Sequence, residues 1–206
     1  MKNLYTYLCL MMMGSFLHAQ IVNIPDVNFK NALIEAGVDT NGDGEIQISE
    51  AEAVINLNVN GKDISSLEGI ESFVNIVYLK CSSNNLVTLD MSQNPNLQRL
   101  DCDWNQLTVL EISENINLQR LSFDHNMINS IDISQNLNLE VLTCGNNLID
   151  QLDLSQNNSL KYLWCEDSQL TSLNIANGNN HNMDTMVSWA NPDLLCIQVD
   201  DENASR

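Results

Sequence analysis

Between Asp39 and Glu50 the sequence reads DTNGDGEIQISE, and the residues able to do chemistry stand mostly at alternate places. Asp39, Asn41 and Asp43 offer side-chain oxygens at the first, third and fifth positions, and Gln47 and Glu50 do so at the ninth and twelfth. Glu45, at the seventh, offers its backbone carbonyl. Gln47 is expected to reach an ion through water, and Glu50 to close the set with both carboxylate oxygens. Every donor is a hard oxygen, which selects a hard cation, and calcium takes about six to eight such ligands. Gly44 at the sixth position permits the sharp turn, and Ile46 fills the apolar eighth. Ca2+ is therefore the expected cofactor. No comparable constellation suggests catalysis. His125 and His181 sit in no nucleophile–base arrangement, no serine motif accompanies them, and carboxylates are abundant at a net charge of -19. An enzyme is not expected.

The loop needs elements to hold it. Phe29, Leu33 and Ala36 fall on one face of a helix before it. Ser49-Glu50-Ala51-Glu52 has the spacing of a capping box that would start a second helix. Helix, twelve-residue loop and helix together resemble an EF-hand. Such loops usually work in pairs, and this one stands alone, so a structural ion is expected rather than a switch.

The rest of the chain repeats itself every 21 residues. Leu79, Leu100, Leu121, Leu142 and Leu163 mark the period. Two places on come Cys81, Cys102, Phe123, Cys144 and Cys165; five places on come Asn84, Asn105, Asn126, Asn147 and Ser168. An earlier coil carries Leu57, Val59, Ile64 and Leu67. The unit L-x-x-L-x-C-x-x-N-x-L looks like a short leucine-rich repeat, in which each coil adds one parallel strand. Alternation turns Leu100 and Cys102 inward and Arg99, Asp101 and Asp103 outward. The recurrent Asn is placed to satisfy backbone groups that the turn leaves unpaired. Asp90, Glu111, Asp132 and Asp153, each two residues before a Ser, are expected to turn or decorate the convex side. The four cysteines in one column read as buried reduced thiols, since parallel neighbours suit disulfide geometry poorly. Cys196 lies outside the column.

Outward columns define a candidate partner face: Tyr78, Arg99, Arg120, Val141 and Tyr162; then Lys80, Asp101, Ser122, Thr143 and Trp164; then Ser82, Asp103, Asp124, Gly145 and Glu166. A loop-edge column adds Trp104 and His125. Aromatic and Arg side chains are the types enriched at binding hot spots. Thr143 and Gly145 are expected to leave room for a partner at the centre. The plainer alternative is that Trp104 and Trp164 only cover neighbouring coils.

Length, charge and composition agree with this division. Aromatics make up 5% of the 206 residues and apolar residues 44%, while Asn occurs 31 times and Leu 28. The acidity argues against nucleic acid or anionic lipid as a partner. MKNLYTYLCLMMMGSFLHA has the pattern of a secretory leader ending at Ala19, and nothing later reaches the length of a membrane span. From Gln20 onward the chain resembles secreted bacterial leucine-rich repeat proteins, internalin-like and of the Bacteroidetes type. The residues that carry the likeness are IPDVNFKNALIEAGVDTNGDGEI at Ile24 to Ile46, the NxxLxxLxCxxNxLxxLDxS units, and NPDLLCIQVDD at Asn191 to Asp201. The resemblance implies a right-handed solenoid that binds on its strand face. The expected organisation is a signal peptide over 1–19, a helical EF-hand-like calcium-binding cap over 20–53, an α/β solenoid of leucine-rich coils, about six in number, over 54–178, and a C-terminal cap over 179–206, with a truncated form left open. The expected function is an extracellular recognition or adhesion module, secreted or at the cell surface and monomeric, for a protein or glycan. The alternative is a structural spacer or surface-layer element with no specific ligand.

Overall fold

The computed structural model describes residues 20–200; the leader expected at 1–19 lies outside the described residues. Seven short strands stack in parallel and in sequence order: Asn56–Asn58, Tyr78–Lys80, Arg99–Asp101, Arg120–Ser122, Val141–Thr143, Tyr162–Trp164 and Thr185–Val187. We number the coils 1 to 7 by these strands. Register is kept throughout: Leu57 pairs Leu79, then Leu100, Leu121, Leu142, Leu163 and Met186. Strands two residues apart in role, inside and outside, follow from the alternation of side chains. The leucine column from Leu79 to Leu163 is buried, as are Cys81, Cys102, Phe123, Cys144 and Cys165. The result is a parallel leucine-rich-repeat solenoid. Its seventh strand extends the stack into the stretch read from sequence as a cap.

Shorter parallel ladders line the opposite side, Thr88–Asp90 with Val109–Glu111, and Gln151–Asp153 with Ser172–Asn174 and Ile197–Gln198. The acidic series there makes turns. Asp90, Glu111, Asp132 and Asp153 each accept the backbone N–H of the Ser two residues on, at 2.9 to 3.0 Å. This local bond ends the back strands at Asp90, Glu111 and Asp153, and Asp132 makes the same turn outside any strand.

Two asparagine ladders hold the coils together. In the expected one, Asn105 accepts the Leu86 N–H and donates to the Cys81 and Cys102 carbonyls, and Asn126 and Asn147 repeat the pattern one coil on. Ser168 breaks the series, and Asn191 resumes it by accepting the Leu170 N–H and donating to the Cys165 carbonyl. A second ladder, Asn94, Asn115, Asn136 and Asn157, is fully buried on the convex side. Each of its amides donates to two backbone carbonyls of the preceding coil. The first Asn of the NxxLxxLxC unit had marked this ladder, but the amide's role depends on which carbonyls the next coil brings beneath it.

At the N-terminal end, α1 (Val27–Glu35) is capped by Asp26, whose carboxylate accepts Asn28 and Phe29 N–H. Its other oxygen accepts Ser65 and Ser66 N–H from the first coil, which ties cap to solenoid. Phe29, Ala32 and Leu33 form the buried face. Ala36, expected on that face, is exposed at the helix C-cap, because the helix has already ended. The second helix, α2 (Ile48–Glu52), starts earlier than the Ser49 spacing suggested. Gln47 is its N-cap, and Glu50 Oε2 accepts the Gln47 N–H at 3.0 Å, so the capping pair is Gln47 and Glu50 rather than Ser49 and Glu52.

Candidate functional site

Each coil leaves its strand through one residue in left-handed backbone conformation: Gly61, Ser83, Trp104, His125, Asn146, Asp167 and Ala190, with φ between 47° and 62°. Sterics reserve this region largely for Gly, Asn and Asp, and other residues lose about 1–2 kcal/mol there. The repeat imposes the angle on Trp104 and His125 all the same. Their rings stack, with centroids 3.7 Å apart and planes within 19°, while Trp104 remains 59% exposed. The periodicity marks this column; the sign of φ is not readable from it.

The outward columns split into two halves. In coils 2 to 4 the charges satisfy one another. Tyr78 Oη donates to Asp101 Oδ2 at 2.9 Å, and Arg120 Nε lies 3.4 Å from Asp101 Oδ1. Lys80 Nζ and the Arg99 guanidinium lie 5.2 and 6.0 Å from the centroid of the Tyr78 ring. Asp103 Oδ1 accepts Ser122 Oγ at 2.6 Å and Asp124 N–H at 2.8 Å, so it braces the next coil from a half-buried position. Burial, opposed by those two bonds, pushes the Asp103 carboxyl up.

From Asp124 of coil 4 through coil 7 the polar groups are less satisfied. Tyr162 and Trp164 stand two residues apart with parallel rings, centroids 6.0 Å and planes within 7°. Asp124 Oδ1 and Glu166 Oε2 are buried without a hydrogen-bond partner. Gly145 lies between them and leaves no vacancy, contrary to the sequence expectation. A Cβ there would meet the Glu166 carbonyl at 2.9 Å, Asp124 Oδ1 at 3.1 Å and Glu166 Cδ at 3.3 Å. The two neighbouring side chains have closed over the glycine. Trp189, which the sequence reading passed over because the period shifts after Asn177, is 63% exposed at the same end.

The Asp39–Glu50 loop is wound tightly by its own hydrogen bonds. Asp39 accepts Gly42 and Gly44 N–H at 2.7 and 2.9 Å. Gly42 and Gly44 take φ of 75° and 81°, which a side chain would resist. Asn41 and Gln47 both donate to Asp43 Oδ2, at 3.1 and 3.0 Å. Glu50 Oε1 accepts Thr40 N–H and Oγ1, both at 2.7 Å. These bonds outweigh burial and hold the Glu50 carboxyl below its ordinary value; Asp43 is lowered too, chiefly by the Glu45 N–H. Lys30 pairs with the Glu45 carboxylate at 2.7 Å, leaving the Glu45 carbonyl as its possible ligand. Among the described residues no three His, Cys, Asp or Glu side chains gather as a metal cluster. An ion here would depend equally on the amide oxygens of Asn41 and Gln47. The donor chemistry fits calcium on that basis, with the two amides turning their oxygens inward.

The loop has a partner after all. Val22 N–H donates to the Ile46 carbonyl and Ile48 N–H to the Gln20 carbonyl, both at 2.8 Å, around an antiparallel bridge between Ile21 and Gln47.

The column thiols Cys81, Cys102, Cys144 and Cys165 are buried and free, and Cys196 is free and exposed. Burial pushes all four column thiols up, Cys165 to about 12, so they are poor nucleophiles. No described helix is long and apolar enough to cross a membrane.

No family model and no curated protein matches the chain. Solved structures do. The functional domain of InlJ from Listeria monocytogenes, described as including a cysteine ladder, is 27% identical, with a TM-score of 0.70 over 82% of this chain and 42% of that one. An internalin, InlF, from Listeria monocytogenes is 23% identical, with a TM-score of 0.60 over 89% of this chain and 54% of that one. The chain thus spans about half the length of these neighbours or less. Its fold is that of the internalin-like leucine-rich-repeat solenoids.

Proposed function

We propose that the chain is an extracellular recognition or adhesion module, of the secreted Bacteroidetes type, which binds a protein or glycan through its strand face and carries a structural calcium ion in its N-terminal cap. One observation carries the reading. Trp104 occupies a backbone conformation that disfavours it, and it keeps more than half its surface in solvent. The repeat imposes the angle and the stack on His125 is its packing return, yet most of the ring stays in solvent, and exposed aromatics are among the types enriched at binding hot spots. The likeness to internalin solenoids supports the same reading. The spacer alternative draws on coils 2 to 4, where Tyr78, Asp101 and Arg120 already satisfy one another.

Replacing Trp104 by Gly separates the two. Gly accepts the left-handed angle, so Trp104→Gly is expected to melt at or above the parent temperature. Screening the folded chain on glycan and protein arrays is expected to return a ligand whose binding falls about tenfold or more in Trp104→Gly and Trp164→Ala, the scale of a lost aromatic anchor. A ligand indifferent to both substitutions would remove the strand face from the reading.

A further inference from the structure

The cations in the outward columns of the strand face are all at one end, and Lys161, beside Tyr162, is paired with Glu140 at 3.2 Å. Lys80, Arg99 and Arg120 belong to coils 2 to 4, where they are held by Tyr78 and Asp101. The outward columns of coils 5 to 7 contain no Lys or Arg, but they contain Tyr162, Trp164, Glu166, Asp167 and Trp189. Asp124 of coil 4 leans into the same region over Gly145. Two half-buried carboxylates therefore approach one another across a glycine, and the inner oxygen of each, closed off over Gly145, lacks a well-formed hydrogen bond. Like charges held this way, with unfilled acceptors and aromatic rings beside them, complement a cationic group rich in hydrogen-bond donors.

We infer that this half of the strand face receives a basic segment of a protein partner, which sets one Arg or Lys side chain against the outer side of the Asp124 and Glu166 pair, beside Trp164. The inference rests on the strand face being the recognition surface, and it names the partner's chemistry. Its pH dependence follows from the groups around Asp124. Burial first, then the charges of Asp103 and Glu166, push the Asp124 carboxyl up to about 6, and His125 and the Gly145 N–H offset this in part. Below that pH the proton occupies the place of the partner's cation.

Intrinsic tryptophan fluorescence of the full chain, titrated with hexaarginine and separately with the neutral sugar chitohexaose at about 0.15 M ionic strength, tests this. The double variant Asp124→Asn/Glu166→Gln removes two charges at the site. Asp132→Asn/Asp153→Asn removes two from the convex side and controls for net charge. Hexaarginine is expected to bind the parent, to lose about tenfold affinity or more in the first variant, to change less than about twofold in the second, and to weaken as pH falls from 7 to 5. Equal losses in both variants, or no binding to the parent, would overturn the inference. If chitohexaose binds instead and Trp164→Ala abolishes it, the face is a recognition surface for glycans and only the basic partner falls. If neither probe binds, or no response depends on Trp164, the strand-face reading falls as well.

Discussion

Asn126 makes four hydrogen bonds from one amide: it accepts the Leu107 N–H and donates to the carbonyls of Cys102, Phe123 and Asp124. It joins two successive coils at a point where water is excluded. Leu has a similar volume and greater hydrophobicity, so packing alone would favour Asn126→Leu. Hydrogen bonding decides otherwise, because the substitution orphans a buried N–H and several carbonyls at about 1–3 kcal/mol for each group left unsatisfied. The variant is expected to lose more stability than Met127→Ala, which alters an exposed neighbour. Urea denaturation of the two checks this, and equal midpoints would dismiss the ladder as a stabilising device. The inner ladder was legible because its Asn recurs beside inward leucines. The pairing of Asp103 with Ser122, and the closure of Asp124 and Glu166 over Gly145, were not. They depend on how far side chains on adjacent coils lean along the stack, which a repeat pattern does not encode.

The N-terminal cap shows how an element can complete a motif that the sequence presents as half of one. A lone loop lacks the strand that a second loop would lay beside it. Here Gln20 to Val22 makes a single antiparallel bridge at Ile21 and Gln47 and holds the Ile46 carbonyl. The loop's alternating oxygens were readable because they stand within one short stretch of sequence. The bridge was not, since it joins segments about 25 residues apart with no pattern in common. Asp39, Asp43 and Glu50 are held by N–H and O–H donors of their own loop. The proposed calcium ion would enter a nearly formed loop, and its binding free energy would add to folding. Millimolar calcium is expected to raise the melting temperature of the full chain relative to EDTA-treated protein by several degrees. Glu50→Gln is expected to abolish the increment, with magnesium giving little because it prefers a smaller, more regular shell. An increment that survives in Glu50→Gln would place the ion elsewhere.

At the scale of the whole molecule, the period is the unit of folding. Each coil touches only its neighbours, so stability is approximately a sum of coil and interface contributions. Every column repeats at 21 residues in the central coils, and the excision of one complete period should therefore restore every column. Removing residues 119–139 joins Leu118 to Glu140. Arg99 would then pair with Val141, Leu100 with Leu142, and the Leu107 N–H would meet Asn147 instead of Asn126. The Asn-Leu pair at 117–118 leads into Glu140 as the pair at 138–139 did. Removing only residues 119–129 shifts every later residue by half a coil, which drives polar residues into the core and apolar ones into water. The first deletion is expected to unfold cooperatively at a somewhat lower urea concentration, in a molecule about 4.8 Å shorter along the stack by small-angle scattering. The second is expected to show no cooperative transition. Cooperative unfolding of both would mean that the stack tolerates broken register, and the assignment of residues to an inner core and an outer recognition face would lose its basis.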